Sequence, residues 1–213
     1  MLLKNNGVLP LQKGISVSLL GMKSYYPILA SGQGMPIVGS IITLEDALSK
    51  NRTDFRNARR NVQRNNIKPS FKKLDDYDFE GAEMKINPVP FEAYEGYSKE
   101  FSGWGRFTYI PSMQSFNDDI SKHFDDPSLE TIEKYAPSFM DSLHEYNDAA
   151  IVVVGRPSSE NGDYAVGGVY EGQGNTEPLE LTTNEREIIR VATENFDKVV
   201  VPVSYTHLTL PTT

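Results

Sequence analysis

The chain is predicted to be an α/β protein, a three-layer α/β/α sandwich around a mostly parallel sheet. Three observations carry this. Ala149-Ala150-Ile151-Val152-Val153-Val154 is an apolar run without alternation, the pattern of a strand buried on both faces. Ile15 to Leu20 repeats that pattern near the N-terminus. Between Thr182 and Val203 a capped, amphipathic helix leads into a second apolar strand, so residues 149–203 read as a βαβ unit whose crossover is right-handed.

In chain order, residues 1–21 open with an extended segment, turn at Lys13-Gly14 and enter the strand Ile15 to Leu20. Ser31-Gly32-Gln33-Gly34 lacks the full glycine fingerprint of a phosphate loop and has Pro36 beside it, so it reads as a tight turn or a lining of a site. Thr43 lies three residues before Asp46 and starts a helix. The basic side chains Arg52, Arg56, Arg59, Arg60, Arg64, Lys68, Lys72 and Lys73 are followed at once by Asp75, Asp76, Asp78, Glu80 and Glu83. Local neutralisation makes this a solvated insertion rather than a polyanion contact. Residues 84–116 are rich in aromatics and glycine. Trp104 there is either a stacking platform or part of the packing of an irregular insertion, which spans about 52–116 in all.

Asp126-Pro127-Ser128 starts a helix with Pro in its first turn, and Leu129, Ile132, Ala136, Met140 and Leu143 face the core. Pro137 breaks or kinks it. His123 and His144 fit no metal-ligand spacing. Thr182 and Glu185 form a capping box, with Ile188, Ile189, Ala192 and Phe196 as the buried stripe behind it. The last strand runs from Lys198 to Val203, and Pro202 removes a ladder donor from it.

Composition bounds the function. The 213 residues suffice for one good-sized domain, 38% hydrophobic and 23% charged. A net charge of −8 argues against nucleic acid as the main partner. No window approaches the roughly 18 apolar residues of a membrane span, and nothing at Met1 has the pattern of a signal peptide. The absence of cysteine excludes disulfides and thiolate metal sites. Open parallel sheets place their chemistry in the loops at the carboxyl ends of the strands. The loop after Val154 carries Arg156, Glu160 and Asp163. By position alone Glu160 is either a solvated loop carboxylate or a candidate acid, base or ligand. Ser158, Ser159 and His144 do not make a serine hydrolase, because the Gly-x-Ser-x-Gly elbow is absent.

Four ordered segments resemble the second domain of family 3 glycoside hydrolases, the β-glucosidase-type enzymes. Met1-Leu2-Leu3-Lys4-Asn5-Asn6-Gly7-Val8-Leu9-Pro10-Leu11 resembles the "VLLKN…LPL" segment that opens that domain, and Ile15 to Gly21 its first core strand. Ile151 to Asp163 resembles "VVIGR-x-S-x-E-x-x-D", and Thr182 to Glu185 with Phe196 to Val201 the helix and strand that follow. The matches cover about half of the chain. The resemblance implies a flavodoxin-like sheet, incomplete at the C-terminus, over residues 1–203. It also implies that Glu160 is the general acid/base of a retaining glycosidase acting on β-glucosides or related β-glycosides, with Asp163 and Arg156 on the substrate side. Asn161-Gly162 departs from the family's Gly-aromatic pair, which changes the loop but leaves the Glu. The nucleophile of the family lies on a preceding barrel domain that nothing here resembles, so the chain alone is expected to be inactive. Neither metal nor organic cofactor is expected. Residues 204–213 read as a non-native tail. The rival class is a non-catalytic module whose carboxyl-edge loops hold a sugar or another small ligand.

Overall fold

A strand apolar on both faces must be covered on both, and that requirement sets the architecture. A computed structural model of the chain describes residues 2–25, 29–30, 44–49, 83–100, 109–110, 126–155 and 180–204. Its elements are β1 (Ser16–Leu20), a 3₁₀ turn (Met22–Ser24), β2 (Leu29–Ala30), α1 (Leu44–Ser49), β3 (Lys85–Ile86), α2 (Val89–Glu100) and β4 (Tyr109–Ile110). They continue with α3 (Leu129–Tyr135), α4 (Phe139–Glu145), β5 (Ala149–Val152), β6 (Val154–Gly155), α5 (Thr183–Asn195), β7 (Val199–Val200) and β8 (Val203–Ser204). The fold is α/β, with a parallel sheet in the order β3-β1-β5-β7.

β1 and β5 are the centre of that sheet, Val17 opposite Ala149 and Leu20 opposite Val152. Val17, Leu19, Leu20, Ala149, Ala150 and Val152 have no exposed surface, as their unbroken apolar pattern requires. α2 packs against β1, α3 and α4, and α3 also meets α5, so these helices form a continuous layer. The right-handed rule puts α1, on the β1-to-β3 crossover, on the opposite face. Tyr25 packs against Phe91 and Tyr94 of α2 as tilted ring pairs, with centroids 5.5 Å and 5.9 Å away. Within the core, Asn87 donates to Ser18 Oγ and Ser142 Oγ, both at 3.0 Å, and accepts the Val89 N–H. Ser18 passes its own proton to the Tyr146 carbonyl and Ser142 to that of Phe139, so this buried polar group is closed on itself.

The expected elements appear with instructive differences. Residues 85–100, inside the range read as an insertion, supply the neighbour of β1 and a helix of the core layer; Ala93 and Tyr94 are fully buried. Two strand residues are too few to show a period, which is why the segment reads as irregular. The helix at 126 begins later than expected. Ser128 is its cap, taking the Thr131 N–H, so Pro127 precedes the helix rather than entering its first turn. Pro137 does break it: Ala136 leaves helical geometry at φ −135°, ψ 84°, and the chain restarts as α4. The capping box at Thr182 and Glu185 is present in both directions. Pro202, with no N–H to donate, coincides with the gap between β7 and β8; its carbonyl still accepts from Val154 at 3.0 Å, and pairing resumes as β6–β8.

Candidate functional site

The strand order carries the chain from β1 to β3 on one side and then across to β5 on the other. The two crossovers diverge between β1 and β5, and the carboxyl ends of those strands flank the crevice where open α/β sheets bind and react. The chain leaves the sheet at Gly155 and re-enters the described structure at Glu180, two residues before the α5 cap. Arg156, Glu160 and Asp163 come one, five and eight residues after Gly155 and lie outside the described residues, as do the Gly-rich stretch at 31–34, the basic run at 52–73, Trp104 and His123. His144 is exposed on α4.

What the structure defines is the frame around Gly155, where the described chain leaves the sheet. β1 is followed by Gly21, whose φ of 84° and ψ of 135° suit glycine. A Cβ there would stand 2.8 Å from the Val153 carbonyl oxygen, so the turn lies directly against the break between β5 and β6. The Leu20 carbonyl accepts from the Val153 N–H at 3.1 Å and from Ser24 Oγ at 2.6 Å. The Gly21 N–H donates to the Tyr94 hydroxyl at 2.8 Å. Burial and the nearby Asp126 charge push the Tyr94 pKa well above its usual value, against the smaller opposing effect of the Gly21 bond, so the phenol stays protonated.

Asp126 ties the frame together. One carboxylate oxygen accepts the Met22 N–H and the other meets the Lys23 ammonium at 3.2 Å. The two side chains are 2% and 5% exposed, so neither charge can rely on water. The Asp126 carbonyl accepts from Asn184 Nδ2 at 2.7 Å, and Glu187 Oε2 takes the Leu129 N–H at 3.1 Å. The starts of α3 and α5, the β1 turn and, through Gly21, the β5–β6 junction are thereby fixed together on the carboxyl edge. Neither partner was singled out from the sequence as a site residue. A signal exists: Lys23 is the only charged side chain between Lys13 and Glu45, directly after a buried strand.

Among the described residues no cluster of three or more His, Asp or Glu could hold a metal, and no helix is long and apolar enough to cross a membrane. No curated protein and no solved structure matches the chain. A family model does, that of the glycosyl hydrolase family 3 C-terminal domain, over residues 1–211. With its parallel sheet and a match over nearly its whole length, the chain belongs to the glycosyl hydrolase family 3 C-terminal domain family.

Proposed function

We propose that this chain is the acid/base-bearing half of a retaining glycosidase that hydrolyses β-glucosides or related β-glycosides. The observation that supports the proposal is one of sequence position: Glu160 comes five residues after Gly155, where the described chain leaves the carboxyl edge of the parallel sheet. In such a reaction Glu160 protonates the departing glycosidic oxygen and then, as carboxylate, deprotonates the water that hydrolyses the glycosyl intermediate. The nucleophile sits about 5 to 5.5 Å away on a separate barrel domain of the same polypeptide. Asp163 and Arg156 act on the substrate side, holding hydroxyl groups and the loop. No cofactor enters this scheme.

The test uses the chain joined to its barrel domain and compares Glu160→Gln with the parent. The amide cannot donate a proton as an acid, so kcat/KM on alkyl β-glucosides with poor leaving groups should fall about 10²- to 10⁴-fold. Formation of the intermediate from a dinitrophenyl glucoside, whose leaving group needs no proton, should be nearly unchanged. Equal losses on both substrates, or none, would remove Glu160 from this role. Saturable sugar binding by the chain alone, with hydrolysis independent of Glu160, would favour the binding-module reading instead.

A further inference from the structure

We propose that Asp126, held by Lys23, is a positioning residue for the acid/base loop. It fixes the β1 turn against the strand end from which that loop departs. The inference rests on the assignment of Glu160 above and extends it to residues that never meet the substrate.

Several features make this more than a core ion pair. Asp126 lies 103 residues from Lys23 and 104 from Met22 in sequence, so the contacts close the carboxyl edge between segments about half the chain apart. A salt bridge this deep is a poor source of stability, because desolvating both charges offsets most of their attraction. Its distinctive effect is geometric. The carboxylate receives a backbone N–H and an ammonium on its two oxygens, while the same residue's carbonyl holds Asn184 at the start of α5. One residue thus sets the spacing between the β1 turn and the helix to which the chain returns after the Glu160 loop. The Tyr94 hydroxyl braces the same turn at the Gly21 N–H. Gly21 lets that turn press on the Val153 carbonyl, two residues before Gly155. Displacing the turn therefore moves the base of the loop. An acid displaced by about 1 Å donates its proton poorly, at a cost of up to about 100-fold.

The crevice also has its positive partner for an anion already satisfied. Backbone amides at the end of a first strand are where doubly wound sheets commonly receive a ligand phosphate. Here the Met22 N–H and the Lys23 ammonium are both engaged by Asp126. The carboxylate is an internal anion in that position.

The experiment compares Asp126→Asn, Lys23→Met and Lys23→Arg in the chain joined to its barrel domain, measuring kcat/KM for an alkyl and a dinitrophenyl β-glucoside. A positioning role predicts a loss of about 10- to 100-fold on the alkyl substrate for Asp126→Asn and Lys23→Met. The dinitrophenyl substrate should change less than about threefold, and Lys23→Arg should recover much of the alkyl activity. A purely structural role lowers both substrates alike, and that result overturns the proposal. So does an unchanged alkyl rate. Should Asp126→Asn fail to fold, Lys23→Met decides by the same ratio. Glu160→Gln run in parallel separates the two readings. If it shows the leaving-group split and the Asp126 and Lys23 variants do not, only the positioning role falls; if it shows no split, the Glu160 assignment itself fails.

Discussion

At the scale of single residues, small polar side chains settle the strand ends. Asp148 Oδ2 accepts from the Ser16 N–H at 2.8 Å and the Ser16 hydroxyl at 2.7 Å, pinning β1 to β5 at the amino edge. These bonds favour the charged form, and Lys198 and Lys85 add to them, so the Asp148 carboxyl is held below its usual range despite a small opposing desolvation. A carboxyl with a lowered folded-state pKa stabilises the fold above its unfolded value of about 3.9 and stops doing so as pH falls through the folded one. The unsubstituted chain should therefore be more resistant to urea than Asp148→Asn at pH 7. The gap should shrink as the solution is acidified below about pH 4. A gap independent of pH would mean that Asp148 acts by shape alone. Asn5 does comparable work in the opening segment, its Oδ1 accepting from Gly7 and Leu9 while its Nδ2 donates to the Leu9 carbonyl at 3.0 Å. That loop gives the Lys4-Asn5-Asn6-Gly7 string a structural reason to exist.

At the scale of elements, the helices were more legible than their contacts. Thr182, Glu185 and the stripe behind them predict α5 because capping and periodicity are local. Ile188 and Ala192 are buried as expected. Phe139 and Val191, equally buried, escape a stripe read from spacing, because one opens a helix restarted after Pro137 and the other borders the stripe. Gly96 on α2 shows what local reading misses altogether. In isolation it weakens a helix by about 1 kcal/mol relative to alanine. In the fold a Cβ there would stand 2.9 Å from Cγ and 3.1 Å from Cβ of Tyr135 on α3, atoms too near the backbone to swing aside. The contact wins. Overpacking of this kind costs about 1 to 3 kcal/mol, so Gly96→Ala should destabilise the chain despite the better propensity. Chemical denaturation decides it, and in a Tyr135→Ala background most of the penalty should disappear through direct coupling. A stabilised single variant would show that α2 and α3 separate freely.

At the scale of the whole molecule, the centre of the sheet was readable and its edge was not. β1 and β5 announce themselves as unbroken apolar runs, and the βαβ unit follows from a helix between two such strands. β3 is only Lys85 and Ile86, with Lys85 exposed, yet its pairing with β1 is what makes the β1–β5 interval a switch point. The same limit governs the proposed site. Glu160 is legible as a loop carboxylate beyond a buried strand, whereas the joining of Lys23 to Asp126 depends on tertiary structure and has no local pattern. The architecture makes a prediction about cooperativity. Strands paired on both sides open only with the whole domain, while a short edge strand frays locally. In native-state hydrogen exchange, the Val153 amide, bonded to Leu20 at the centre, should be among the slowest. The Lys85 amide, bonded to the Ile15 carbonyl at the edge, should exchange at least about tenfold faster, a difference of about 1.4 kcal/mol in opening free energy. Equal rates would mean that β3 is locked into the same cooperative unit as β5. In that case the switch point would persist for as long as the fold itself.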